Sequence, residues 1–346
     1  MKKIIAVLSI SGIALTPMAA FAAESAHHLP TAQSILVVSR ATGKVLFSRS
    51  VHVKRSPAST VKMLTALVAM DELRLDQIIT VSSFVEGTPR SRIDLRSGER
   101  FYVRDLLRAL LISSANDAAK ALAVAAAGSE YQFTLKMNEK AKQFGVKNSH
   151  FTTANGLPAE NQYSTVYDLM KIFVAAEESS FIMKTLGTKY AQITSLDGRR
   201  IKLKNHNKML WRDVREIVGK TGWTRNAGHC FVGRIRNGSK SVYIAILASR
   251  KTWPDIRYVA DKCVGGLASS GGKPTDKSFN RASYYNHYDI KKIQLALKRA
   301  GFFYREPTGY FGSITKRALK RFQRAHHLEP DGVVGPSTWQ ALVNYL

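Results

Sequence analysis

Acidic residues are scarce in this chain. Over 346 residues, 25 Asp and Glu stand against 52 Lys and Arg, a formal charge of +27. Cysteine is scarcer still: only Cys230 and Cys263 occur, with no Cys-x-x-Cys spacing to hold a metal through thiolates. Neither His-Glu-x-x-His nor Gly-x-Ser-x-Gly is present, which removes the zinc-peptidase helix and the nucleophile elbow of the α/β-hydrolases. The nine histidines are scattered apart from His27-His28 and His326-His327, and those pairs read as surface rather than as a metal site. Beyond the N-terminus no segment is apolar enough to cross a bilayer. At 45% hydrophobic, the composition is that of a folded chain, with length for one large domain and a small one.

Residues 1–22 have the pattern of a secretory signal. Lys2 and Lys3 form a positive end, Ile4 to Leu15 a short apolar run, and Ala20-Phe21-Ala22 a cleavage region. An uncleaved anchor is the alternative, but the run is short and Pro17 interrupts it. The mature chain is therefore expected outside the cytoplasm, in the periplasm or cell wall, with no transmembrane segment. There a strongly basic protein meets wall polymers and acidic lipid head groups rather than nucleic acid. In that setting two cysteines can pair. They equally suit apolar packing, Cys230 in a strand pattern and Cys263 on a helix, and unpaired thiols are the expectation.

From Ser34 to Val264 the patterning is mixed. Strands are predicted at 34–38, 44–47, 190–194, 229–236 and 241–248. Helices are predicted at 59–72, 103–112, 117–127, 131–144, 166–176 and 255–265, and Asp197-Gly198 marks a hairpin. The catalytic candidate spans 23–265. The run from Gly265 to Pro274 cannot bury a core, so 266–287 reads as a linker. Residues 288–346 form a separate unit with an internal repeat. Gly309, Gly312, Thr315, Ala318 and Leu319 recur 23 positions on as Gly332, Gly335, Thr338, Ala341 and Leu342. Each copy reads as a glycine turn, a threonine cap and a helix. With ten Lys and Arg against four Asp and Glu, this unit carries +6.

Three short motifs carry chemistry. Ser59-Thr60-Val61-Lys62 follows Pro57-Ala58 and opens a strongly apolar helix, which puts Ser59 at a helix N-terminus and Lys62 on the same face. A serine needs an adjacent base to become a nucleophile, and a lysine buried among apolar groups accepts a proton near neutral pH. Alone, the motif also fits a capping serine and a surface lysine. Two further Ser-x-x-Lys runs, at Ser270 and Ser313, lie in the linker and in the repeat. Ser114-Ala115-Asn116 breaks two helical patterns and taken alone is a cap. Lys220-Thr221-Gly222 opens a strand expected to run past Trp223. It offers a charge and a hydroxyl to a carboxylate, with a glycine that admits a substrate backbone.

In this order the three motifs resemble the signature of the serine penicillin-recognising enzymes. Ser91-Arg92-Ile93-Asp94-Leu95, Asn155-Gly156-Leu157-Pro158, Ser164-Thr165-Val166-Tyr167-Asp168-Leu169 and His206-Asn207-Lys208 extend the resemblance to the D-alanyl-D-alanine carboxypeptidase branch over roughly residues 25–265. The resemblance implies an α+β, transpeptidase/β-lactamase-like domain with an antiparallel sheet and a helical cluster. It also implies an acyl-enzyme at Ser59 with Lys62 as base, Ser114 as proton relay, and Asn116 holding Lys62 and the substrate amide. Lys220 and Thr221 would face the terminal carboxylate, Gly222 would admit the backbone, and the N–H groups of Ser59 and Trp223 would form the oxyanion hole. Arg250 would support the carboxylate site, although its flanking residues match only roughly. No Glu-x-x-Leu-Asn segment is present, which favours slow release of penicillin over its hydrolysis.

The C-terminal unit resembles a three-helix peptidoglycan-binding module, through Ile293-Gln294, Phe322-Gln323 and Asp331-Gly332-Val333-Val334-Gly335-Pro336 among others. The expected partners are peptidoglycan and its stem peptides, with β-lactams as inhibitors and no cofactor or metal. Endopeptidase action on cross-links, and a non-catalytic wall-binding protein, are the alternatives.

Overall fold

The computed structural model describes residues 30–265, 290–308, 313–328, 330, 332, 334 and 336–346. The signal, the 266–287 linker, and Gly309, Gly312 and Gly335 of the repeat lie outside the described residues. The chain divides into two compact units, one holding residues 30–265 and the other 290–346.

The first unit is built on a five-stranded antiparallel sheet. Its strands are β1 (Ser34–Ser39), β2 (Val45–Arg49), β7 (Glu216–Thr224), β8 (Gly228–Asn237) and β9 (Lys240–Ser249), in the order β2-β1-β9-β8-β7. Strand periodicity sends alternate side chains to opposite faces. Ile35 and Val37 of β1, with Val242, Ile244 and Ile246 of β9, pack beneath the C-terminal helix α8 (Thr252–Val264). Tyr243 points the other way and meets Phe173 edge-on at 6.0 Å. Phe173 belongs to α5 (Val166–Glu177). Both faces of β1 and β9 are thus covered, which accounts for their near-continuous apolar runs. Helix α8 starts three residues earlier than expected because Pro254 falls in its first turn, where its missing N–H costs nothing.

The helical cluster comprises α1 (Lys62–Glu72), α2 (Val103–Ile112), α3 (Asn116–Ala127), α4 (Glu130–Gln143), α5 and α6 (Ser180–Leu186). Helix α1 runs through its middle, and Met63, Leu64, Ala66 and Ala69 are fully buried. Helix α5 is tied to the sheet electrostatically: Glu177 accepts from Arg40 Nε at 3.2 Å, and also from Arg234 and the Tyr243 hydroxyl. Two short ribbons complete the unit, β3 (Ile78–Thr80) with β4 (Arg100–Tyr102), and β5 (Tyr190–Thr194) with β6 (Arg200–Lys204). The second ribbon is the hairpin signalled by Asp197-Gly198, and a single-turn helix α7 (Met209–Arg212) follows it.

One expectation is corrected. Lys220 does not open its strand, because β7 starts four residues earlier, at Glu216, and ends at Thr224. Gly219 and Gly222 hid it by diluting the β-branched pattern.

The second unit has three helices, α9 (Ile290–Arg299), α10 (Ser313–Ala325) and α11 (Pro336–Val343), around Ile293, Leu297, Phe303, Leu319, Phe322 and Leu342. The repeated threonines lie inside helices rather than at their caps. Thr315 and Thr338 are buried and accept from Gln294 Nε2 at 2.9 Å and Gln323 Nε2 at 3.2 Å. Each repeated threonine is therefore held by a buried glutamine from outside its own copy of the 23-residue repeat, a polar contact that must be satisfied inside so small a core. No described helix of either unit is long and apolar enough to cross a membrane.

Cys230 is buried in β8, Cys263 half-buried on α8, and both thiols are free. Burial raises their pKa values to about 12 and about 11, which makes both poor nucleophiles for disulfide exchange. Thiol titration of the denatured, unreduced protein should count two free thiols; a count of zero would show that they pair.

Candidate active site

Pro57 and Ala58 turn the chain into a single 3-10 turn, Ala58–Val61, that runs directly into α1. Ala58 takes φ +47, a left-handed conformation costly for a residue with a Cβ. The turn leaves Ser59 half-buried at the mouth of a cleft while Lys62, three residues on, points inward and is 0% exposed. Lys62 Nζ donates to Ser59 Oγ at 2.7 Å, to Asn116 Oδ1 at 2.7 Å and to the carbonyl of Asn155 at 2.5 Å. Burial holds the Lys62 pKa well below the usual lysine range. The Lys220 charge adds to that effect and Asp117 opposes it. The amine is thus poised to exchange a proton with the serine hydroxyl beside it.

Asn116 opens α3, two residues after Ser114, which also takes a left-handed φ of +57. The Asn116 amide is oriented from behind. Its Nδ2 donates to the carbonyls of Pro89 at 3.1 Å and Arg90 at 3.0 Å, which leaves Oδ1 facing Lys62. Asp117, the next residue, accepts the backbone N–H groups of Ile93 and Leu95 and ties the 91–95 loop to the start of α3.

Lys220 sits in β7, the edge strand, and is 1% exposed. Its Nζ donates to Ser114 Oγ at 3.0 Å and to the Thr221 carbonyl at 2.9 Å. Burial brings its pKa down to about 7. Gly222 passes so close to the serine turn that a Cβ there would stand 2.9 Å from Ser59 N and 3.0 Å from Ala58 Cβ. On the opposite side, Gly156 has φ +79, and a Cβ would collide with the Ala58 carbonyl oxygen at 2.1 Å. Thr65 Oγ1 donates to the Ala154 carbonyl at 2.6 Å. The serine turn is therefore clamped between β7 and the 154–157 loop at spacings that only glycine permits.

The resulting cleft has a volume of about 280 Å³. Ser59, Ser114, Asn116, Thr221, Gly222 and Trp223 line it, with Trp223 60% exposed at the rim. Lys62 and Lys220 lie beneath this lining and reach it through Ser59 and Ser114. Eight of the nine residues anticipated from sequence thus converge. Arg250 does not join the cleft lining: it is exposed just past β9, its backbone N–H held by Thr31 Oγ1 at 3.1 Å. Sequence reading missed the carbonyls of Asn155, Pro89 and Arg90, since a backbone acceptor has no residue type to recognise. It also gave no role to His206, which lines the cleft. His206 is open to solvent on one side but crowded on the other, and burial, with the Lys220 and Lys62 charges, pushes its pKa down to about 4.

Residues 20–251, about two thirds of the chain, match the D-alanyl-D-alanine carboxypeptidase family, and residues 286–342 match a peptidoglycan binding domain. The chain is 31% identical over 253 residues to the D-alanyl-D-alanine carboxypeptidase DacF of Bacillus subtilis, covering 69% of this chain and 64% of that protein. It is 34% identical over 218 residues to DacB2 of Mycobacterium tuberculosis, covering 62% of this chain and 74% of that one. The crystal structure of a D-alanyl-D-alanine carboxypeptidase from Mycobacterium tuberculosis H37Rv superimposes with a TM-score of 0.64 at 30% identity, over 73% of this chain and 98% of that one. A family match of this extent falls on the same unit that buries Lys62 against Ser59, and the chain belongs to the D-alanyl-D-alanine carboxypeptidase family, with a peptidoglycan binding domain at its C-terminus.

Proposed function

We propose that the chain is an exported serine DD-carboxypeptidase that removes the terminal D-alanine from peptidoglycan stem peptides through an acyl-enzyme. The observation that carries this reading is the Lys62 amine, buried and bonded at once to Ser59 Oγ and Asn116 Oδ1. In the proposed reaction, neutral Lys62 takes the Ser59 proton as Oγ attacks the carbonyl of the D-Ala-D-Ala bond. The N–H groups of Ser59 and Trp223 receive the developing oxyanion. The C–N bond then breaks, and the leaving nitrogen takes a proton through Ser114, which Lys220 already contacts. Water, activated by Lys62, cleaves the ester and frees the shortened stem. Asn116 holds Lys62 and the substrate amide. Thr221 offers its hydroxyl to the terminal carboxylate, and Lys220 acts from beneath as a positive charge. A β-lactam would enter the same path and be released slowly. Residues 1–22 would direct export to the periplasm or cell wall, 23–265 would catalyse, and 288–346, after the 266–287 linker, would hold the enzyme on its polymer.

Labelled penicillin should add once to the intact protein and not at all to Ser59→Ala; an adduct surviving that change would place the nucleophile elsewhere. Lys62→Ala should slow acylation by a factor of about 100 to 10,000, the range for loss of a general base.

The two lysines set opposite limbs of the pH profile. Acylation needs Lys62 neutral, so its rate should rise as pH climbs through the lowered Lys62 pKa. Carboxylate recognition needs Lys220 charged, so kcat/KM should fall above about 7, where burial has brought its pKa. Lys220→Arg keeps the charge and should remove the alkaline limb; an unchanged limb would assign it to another group.

A chain ending at Gly272 should keep penicillin acylation and turnover of soluble peptide. It should lose activity on intact sacculi and fail to pellet with them, because the tether that raises local substrate concentration is gone. Equal pelleting of both forms would make the basic catalytic unit the anchor.

A further inference from the structure

The start of α8 forms part of the cleft wall. Thr252 and Trp253, its first two residues, line the cleft together with Thr221, Trp223 and His229. The sheet register explains how they come there. His229 of β8 lies opposite Trp223 on one side and Ser249 on the other, so the chain leaves β9 level with Trp223 and enters α8 three residues later. Alternation along β7 sends Lys220 and Gly222 to the Ser59 face. Thr221 and Trp223 share the opposite parity with Ile217, which packs in one cluster with Ile256 and Val259 of α8. The Thr221 side chain and the start of α8 therefore stand on the same face of the edge strand, at the same cleft.

This helix end is short of acceptors. The first N–H groups of an α-helix have no partner within it, and Lys251 at the N-cap supplies none from its side chain. Asp255 is the acid of the first turn, but its carboxylate is turned away from the cleft lining and already engaged. It accepts from Thr31 N at 2.8 Å, from Thr31 Oγ1 at 3.0 Å and from Ser249 Oγ at 2.7 Å. Thr31 Oγ1 also accepts from the N–H groups of Arg250 at 3.1 Å and Lys251 at 2.9 Å, which pins the turn that leads into the helix.

Thr252 is 5% exposed, and its Oγ1 is enclosed with no hydrogen-bond partner among the described residues. The serines of the cleft differ, since Ser59 accepts from Lys62 and Ser114 from Lys220. A hydroxyl buried without a partner lowers stability, and this one lies where a bound ligand can supply the missing acceptor. The ligand it suits is an anion. The start of a thirteen-residue helix favours negative charge, the exposed Arg250 and Lys251 precede it, and no carboxylate among the described residues lines the cleft.

We infer that Thr252 and the N–H groups that open α8 complete the carboxylate site, the Thr252 hydroxyl donating to the terminal carboxylate of the D-Ala-D-Ala substrate from the helix side while Thr221 donates from the strand side. The inference rests on the acyl-transfer reading above. It makes Thr252 a substrate-binding residue with no part in proton transfer. The contact selects a free C-terminus, because an ester or amide brings no charge to the helix end.

The test uses the full chain with Thr252→Val, which keeps the shape and removes the hydroxyl, and with Thr252→Ser, which keeps the hydroxyl. Each is given benzylpenicillin and its methyl ester, which share the reacting ring and differ in the carboxylate. Thr252→Val should lose about tenfold in the second-order acylation rate on the acid, as for a hydrogen bond to a charged group. The ester should show no such loss, and Thr252→Ser should recover most of the rate on the acid. With a free-ended D-Ala-D-Ala peptide the loss should fall on KM rather than on kcat. Because the hydroxyl has no partner in the free protein, Thr252→Val should melt at or above the wild-type temperature. Equal losses on acid and ester, no loss on the acid, or a melting temperature that falls along with activity would overturn the site. Should wild type react with neither compound, the acyl-transfer reading itself falls, and calorimetric binding of the peptide decides the site. Weaker binding by Thr252→Val than by wild type and Thr252→Ser would sustain it, and equal binding by all three would end it.

Discussion

The burial of one lysine governs the organisation of the catalytic unit. An ammonium group taken fully out of water costs several kcal/mol unless every proton finds an acceptor. Lys62 meets that demand with three oxygens from three separate segments: the serine turn, the start of α3 and the 155 carbonyl. The same burial favours the neutral amine, so one arrangement both ties three segments together and suits Lys62 to take a proton from Ser59. A lysine with an exposed amine at the same spacing would satisfy the sequence motif and carry no such chemistry.

Holding those oxygens in place requires strain and close approach. Ala58 and Ser114 occupy left-handed backbone regions on either side of the cleft, at a cost on the order of 1–3 kcal/mol each. They are kept there by a surrounding framework. Gly222 presses on the serine turn from the sheet and Gly156 from the opposite loop. Asp117 and the Pro89 and Arg90 carbonyls fix the start of α3. Farther away, Glu177 secures α5 to the sheet through Arg40, Arg234 and Tyr243. The supports of the cleft are thus distributed through both layers.

A second buried lysine completes the electrostatics. Burial lowers the pKa of both Lys62 and Lys220, the Lys220 charge adds to the effect on Lys62, and no carboxylate among the described residues lies in the cleft lining. The site thus offers positive charge with no carboxylate beside it. That suits a substrate whose charge is a terminal carboxylate and whose transition state is an oxyanion. A neighbouring groove lined by Lys204, Lys208 and Arg212 carries charge of the same sign.

How much of this was legible beforehand follows the range of each interaction. Helices 103–112 and 166–176 and the strands at 190–194 and 241–248 were readable to within a residue or so, because apolar periodicity is local. The three motifs named Ser59, Lys62, Ser114, Asn116 and Lys220 because their spacing and order are written along the chain. What sequence could not supply was anything set by the meeting of distant segments. The start of β7 at Glu216 and the Asn155 carbonyl on Lys62 are of this kind. So is the juxtaposition of Tyr190 with Trp211. Sequence alone determined which side chains were available for acyl transfer. Only the tertiary structure decided which of them lost their water, and loss of water is what turns a lysine into a base.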